Sequence, residues 1–391
     1  MKVSTNILLI ISMVCSFAGC KPDDVPPEPT KEGNPIVWKT ALNSDDLTSS
    51  PLYYNGMVIF SQEDIARAFD ATTGEMIWET PINARPIDFE GTFLLGDKVI
   101  FSEHRKVYVL CSATGEIIWQ DELAQGQGGV CHIDGYIYKA TYDFDRNKYS
   151  SLYRYDINTG IKEKVFTLTR GEFDQDHSPS LHMPVKWTSS VGDDLLVMQN
   201  RSFGWSSTME SKMDILAWNL TADSMEWYRN LDGFSSTARP AIDGDNVYFY
   251  GDHHAYCIDP ATGETRWKYF IGDGPEDDFN TANIIIVKDK LIVKPDNSDI
   301  HAVDKETGKR IWFNAETEAM PFMLTERNDT IWFSSGGVWG VDANTGEKVI
   351  DDWKGSRSGS WIFPIAHHPS NGLIYTTDGD FLYCLNPKYM K

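Results

Sequence analysis

The sequence predicts an all-β protein, an eight-bladed β-propeller of four-stranded antiparallel blades, with the last blade closed by the N-terminal strand. Two observations carry that expectation. The first is a short unit, seen at residues 255–267, that returns along nearly the whole chain: an alternating strand ending in Asp, a tight Thr-Gly turn, and a strand with Trp four residues after the Gly. Its copies are Asp70…Gly74…Trp78, Cys111…Gly115…Trp119, Asp156…Gly160…Lys164, Asn219…Asp223…Trp227, Asp259…Gly263…Trp267, Asp304…Gly308…Trp312 and Asp342…Gly346…Ile350. They lie about 38 to 63 residues apart, the length of a four-stranded blade. The second is a split copy. Residues 382–387 match the strand before the turn and then the chain stops, while residues 36–42 match the Trp strand with nothing before it. Joined, the two halves make an eighth blade and protect the edges of the ring.

Within a repeat the apolar runs give the strand order. In the copy around Gly263 they are 239–242, 246–250, 255–259 and 265–270, lettered A to D from the axis outward. The D-to-A and B-to-C loops then share one face of the ring. The Thr-Gly turns, which join C to D, occupy the other.

Taken from its start, the chain opens with a signal peptide over residues 1–19: Lys2, an apolar run from Ile7 to Phe17, then Ala18 and Gly19. Phe17-Ala18-Gly19-Cys20 resembles the lipobox of bacterial lipoproteins, which implies that Cys20 is lipidated. Residues 20–35 are Pro-rich and acidic and read as an extended tether, and 36–391 as a single propeller. The acidic residues directly after Cys20 resemble signals for export to the cell surface, so the lipid anchor could hold the chain at either the periplasmic face or the outside of an outer membrane.

With 391 residues and 41% hydrophobic composition the chain can bury a large core. A net charge of −22 excludes a duplex-binding role, because phosphate affinity depends on a basic face, so no nucleic acid partner is expected. Cys111, Cys131, Cys257 and Cys384 show no zinc spacing. Cys111, Cys257 and Cys384 stand at nearly equivalent places on strands expected to be buried, where a free thiol acts as a small hydrophobe.

The motif Asp-x-x-Thr-Gly-Glu-x-x-Trp at blade spacing resembles the pyrroloquinoline-quinone-type repeat, in which the Trp docks against the turn of a neighbouring blade. That resemblance covers residues 36–391 and gives Trp38, Trp78, Trp119, Trp227, Trp267 and Trp312 a structural role. Lys164 and Ile350 depart from it, so docking there should be looser unless Trp353 compensates. Quinoprotein dehydrogenases resemble the repeat as well, but cap their quinone with adjacent cysteines and a calcium site. No two cysteines are adjacent here and no segment concentrates oxygen ligands, so no cofactor and no metal is expected. The chain also resembles the non-enzymatic branch of the repeat, which includes the β-propeller lipoprotein subunit of the outer-membrane β-barrel assembly machinery. The resemblance implies a monomeric, non-catalytic scaffold that touches the membrane through its lipid alone and binds a membrane-anchored protein such as the barrel-assembly subunit.

Sites are sought where the repeat is broken. Residues 142–151, 169–183 and 200–213 are longer than a blade needs; the first and third are B-to-C loops and the second a D-to-A loop, so all fall on one face of the third and fourth blades. Their Phe144, Tyr149, Phe173, His177, Phe203 and Trp205 suit a protein or glycan contact. A second candidate is the channel mouth on the same face. Prolines recur at the start of the A strands, and the residues before them bring Arg85, His182, Arg239 and Trp361 toward the axis, where arginines could hold a carboxylate or pair with Asp88 or Asp243. The pairs His253-His254 and His367-His368 fall on opposite faces and cannot build one metal site. With no catalytic constellation visible, the expectation is a binding scaffold rather than an enzyme. A surface lipoprotein that binds or processes glycans is the alternative, and a quinone-dependent dehydrogenase stands behind both.

Overall fold

In a computed structural model the described residues are 33–390, apart from 43–47, 84–90, 104, 124–128, 143–147, 172–176, 205–211, 232–235, 237, 273–282, 320–322 and 356–363. The expected signal peptide, Cys20 and most of the tether lie outside them. Among the described residues no helix is long and apolar enough to cross a membrane.

The strands form eight antiparallel sheets. A representative blade, the fifth, runs outward from the axis as Ala241–Asp243, Asn246–Gly251, His254–Ile258 and Thr265–Phe270. The sequence places the first of these two residues earlier, at Arg239, but Pro240 has no N–H to give to a ladder and the strand begins after it. In the eighth blade the N-terminal strand Ile36–Ala41 pairs with Phe381–Leu385, Trp38 facing Cys384 and Thr40 facing Leu382, so both termini close the ring. The fourth blade departs from four strands: besides Val185–Thr188, the short strand His177–Ser178 pairs with the far end of Asp194–Gly204.

Burial follows from position in the ring. The second strand of the first blade, Met57–Gln62, is buried at every residue, because sheets stack on both its faces. The outermost strand, Met76–Pro81, is exposed except at Thr80, partly buried, and Trp78, which is buried. Successive blades are fastened by pairs of residues from two copies of the repeat. Trp38, Trp78, Trp119, Trp227, Trp267 and Trp312 each donate Nε1–H to a carbonyl in the next blade's turn, those of Ala71, Ser112, Ile157, Pro260, Lys305 and Ala343, at 2.8–3.1 Å. Their indoles lie against Gly74, Gly115, Gly160, Gly263, Gly308 and Gly346 of those turns, all at positive φ. Thr40 and Thr80, two residues beyond the Trp, donate their hydroxyls to Gly74 O and Gly115 O at 2.7 Å. The turn Asp holds its own loop: Asp70 Oδ1 accepts from the Thr72 and Thr73 amides, both at 2.8 Å.

The two irregular interfaces are irregular on both sides. Where the third blade carries Lys164 in place of Trp, the fourth blade's turn carries Asp223 in place of Gly, at φ 53°. Docking there passes instead to Phe166 and Trp218, stacked with centroids 4.5 Å apart. Where the seventh blade carries Ile350, the eighth has no Thr-Gly turn, and Trp353 packs edge-on against Tyr383 at 5.4 Å. One cysteine also departs from the expected pattern. Cys257 and Cys384 are buried, but Cys111 is only half-buried. It occupies the Asp position of its turn, and hydrogen bonds from Thr114 and Ala113 lower its thiol pKa.

Candidate functional site

The three long elements meet on one face. Strands Tyr136–Tyr142 and Tyr149–Asp156 carry the first beyond the third blade, and strands Asp194–Gly204 and Lys212–Asn219 carry the third beyond the fourth. The second crosses between them and is hydrogen-bonded to both. On one side Leu181 N donates to Ser150 Oγ at 3.0 Å. On the other, Ser180 N donates to Asn200 Oδ1 at 2.8 Å, Arg201 N to Ser180 O at 2.9 Å, and His182 N to Gln199 O at 2.9 Å. Beneath them Asp214, 1% exposed, accepts from Tyr228 Oη at 2.5 Å and from Asn230 Nδ2 at 2.9 Å. Asn200 Nδ2 in turn donates to Tyr228 Oη at 3.1 Å. A buried polar network satisfied in this way holds loop-derived residues in one arrangement.

This platform depends on Ser150, whose hydroxyl also donates to Thr141 O at 2.6 Å. Ser150→Ala leaves the buried Leu181 amide without its acceptor. A loss of about 1–3 kcal/mol is expected in urea unfolding, with faster amide exchange at Leu181 than at Ile100 in the second blade. Equal exchange at the two amides would show that the crossing segment is held by something else.

Tyr149 stands at the rim of this platform with 45% of its surface exposed, as a contact residue must. The backbones of His177 and Phe203 lie in the added strand pair, His177 opposite Gly204 and Ser178 opposite Phe203. Phe144, Phe173 and Trp205 lie outside the described residues. The channel group separates. Arg85 and Trp361 also lie outside the described residues. His182 belongs to the crossing segment, where burial and nearby Arg201 push its pKa down to about 4. Arg239 does line the axial channel. The sequence pairs it with Asp243 or Asp88, but Asp88 lies outside the described residues and the structure gives Asp243 to Lys305. Asp134, which lines a cavity with Arg239, is likewise paired with Lys186, which also bridges Asp194 at 2.7 Å. The sequence reading missed His132, which lies beside Arg239 on the inner strand of the third blade. Nothing in its local pattern marks it, since the two meet only through ring closure.

A quinone with its calcium ion needs converging oxygen ligands. Among the described residues no three His, Cys, Asp or Glu side chains come together to hold a metal. Where the described channel walls meet Arg239, their acid Asp134 is already bound to Lys186. The described residues do not fit such a group.

Against known proteins, the family described as outer membrane protein assembly factor BamB matches residues 30–142 and 62–351. A curated quinohemoprotein alcohol dehydrogenase from Comamonas testosteroni is 23% identical over 380 residues, which is 87% of this chain and 50% of that protein. The chain spans half or less of the length of the curated relatives it matches. Among solved structures, BamB from Moraxella catarrhalis superposes with a TM-score of 0.59 at 14% identity, over 90% of this chain and 99% of that one. A europium-containing methanol dehydrogenase gives 0.66 at 11% identity, over 87% and 84%. At such identities the superpositions show a shared fold.

Proposed function

The chain belongs to the family of the outer membrane protein assembly factor BamB, and from that membership we propose that it is a lipid-anchored, non-catalytic scaffold of the outer membrane that docks a membrane-anchored partner, the barrel-assembly subunit. The observation that carries the reading is the convergence of three non-repeating elements onto one hydrogen-bonded platform with an exposed aromatic, Tyr149, at its rim. Rigid platforms that present aromatics make good protein-docking surfaces, because little side-chain freedom remains to be lost on binding. Cys20 supplies the anchor and residues 20–35 the reach from membrane to propeller.

Affinity purification of the lipidated protein from its native membrane tests this. Barrel-assembly subunits should be recovered with the wild-type chain and reduced at least tenfold with Tyr149→Asp. Their absence from the wild-type eluate, or retained oligosaccharide in their place, would sink the reading and favour the surface glycan alternative. A second reading, a quinone-dependent dehydrogenase, draws on the curated relatives and requires ligands from outside the described residues. Titration with pyrroloquinoline quinone and calcium checks it, saturable binding being the result in its favour.

A further inference from the structure

We propose that the axial channel holds a small carboxylate with an apolar body, bound through Arg239, His132 and Thr92. Two cavities, of about 370 and 590 Å³, share Arg239 and His132 in their walls near the axis. The larger opens on the face of the A-to-B turns, past Asp134 and Lys186. The smaller adds Thr92, Phe93, Val130, Ile284 and Met323. That lining is apolar, with a few polar groups that would fix orientation, the usual make-up of a small-molecule site.

The polar groups are donors without acceptors. The half-buried Arg239 makes no hydrogen bond or ion pair with any described residue, and Asp134, which lines the cavity with it, is held by Lys186. In a chain of net charge −22, a guanidinium left unpaired in a channel is an exception that an anionic ligand would explain. His132 Nε2 accepts from the Gly135 amide at 3.0 Å, which fixes the neutral ring with its proton on Nδ1, and no described residue accepts that proton. Thr92 is 4% exposed and its Oγ1 has no hydrogen-bond partner among the described residues. A planar guanidinium presents two parallel N–H groups to a carboxylate, and the ring N–H and hydroxyl supply further donors for its lone pairs. An inorganic anion would satisfy the donors too, but would leave the Phe93, Ile284 and Met323 walls uncovered.

The test is calorimetric titration of the full chain with 3-phenylpropionate, with its uncharged amide and with inorganic phosphate. Saturable binding of the acid is expected, at least tenfold weaker for the amide and for phosphate. Arg239→Gln should weaken the acid at least tenfold while leaving the melting temperature unchanged, since Arg239 supports no described contact, and Arg239→Lys should restore part of the affinity. The proposal is overturned if the acid does not bind, if the amide binds as well, if phosphate binds better, or if Arg239→Gln binds the acid like wild type. Because Arg239 makes no contact with the docking platform among the described residues, partner recovery by Arg239→Gln should match wild type, so the two readings fail separately.

Discussion

Gly115→Ala should destabilise the propeller by about 2–5 kcal/mol, an unusually large effect for one methyl group. Gly115 sits at φ 73°, where a Cβ is disfavoured by roughly 1–2 kcal/mol on backbone grounds alone. The added carbon would also lie 2.5 Å from Trp78 Cε3 and 2.8 Å from Thr80 Oγ1, so the two blades must separate or the indole must move. Trp78→Ala should cost about 3–5 kcal/mol, since it empties a buried site and leaves Ser112 O without its donor. The pair should be strongly non-additive. With the indole gone, the new methyl has room, and the double variant should fall short of the summed losses by more than about 1 kcal/mol. Additive losses in urea unfolding would mean that the Gly is required by its turn and not by its neighbour.

The irregular interface supplies the control. Asp223 occupies the Gly position of the fourth blade, at φ 53°, and the third blade carries Lys164 at the position of the repeat's Trp. With no indole to accommodate, Asp223→Gly should change stability by less than about 1 kcal/mol. The conformational demand of the turn is met at both sites; only the crowding differs.

These details mark what could be read in the chain and what could not. The blades were legible because Gly and Trp recur at a fixed offset, and ring closure because residues 36–42 supply the strand that residues 382–387 lack. That each Trp docks on a neighbouring turn followed from the resemblance. The matched loss of Trp at 164 and of Gly at 223 was present in the sequence as well, but it belongs to two different copies and shows only when Trp is assigned to the following blade. The platform was legible as three long loops on one face, not as a network. Ser150 meets Leu181, and Asn200 meets Ser180, through contacts that no local pattern encodes. The channel was the least legible. Its charge state depends on Lys305 taking Asp243 and Lys186 taking Asp134, pairs 62 and 52 residues apart. Cys111 was misplaced for a local reason: a thiol can substitute for the turn carboxylate, so a residue type taken as core stands at a half-buried turn.

Acid should destabilise the protein as the pH falls below about 6.5, in a window set by three buried or half-buried histidines. Burial pushes His182, His301 and His367 down to about 4, helped by Arg201, by Arg310 and Lys294, and by Arg327 respectively. His301 lies between Tyr269 and Phe313, its Nε2 without a partner, while His367 Nε2 meets Thr325 Oγ1 at 2.9 Å. Folded pKa values below the unfolded value of about 6.5 mean that the unfolded chain binds more protons in between. Stability is therefore complete above about pH 6.5, falls as the pH drops toward 4, and at pH 5 has lost on the order of 1–2 kcal/mol per histidine. Two other effects do not remove this loss. Relief of the −22 net charge on acidification acts mainly between screened surface groups, and the turn carboxylates of Asp156, Asp304 and Asp342, all held below their ordinary values, protonate below this window. Urea midpoints measured from pH 7 to 4.5 should fall steadily, and the triple variant His182→Gln, His301→Gln, His367→Gln should flatten the slope although it is less stable at pH 7. An unchanged slope in that variant would place the acid sensitivity in the carboxylates instead, since glutamine cannot take up the proton that the unfolded histidines bind.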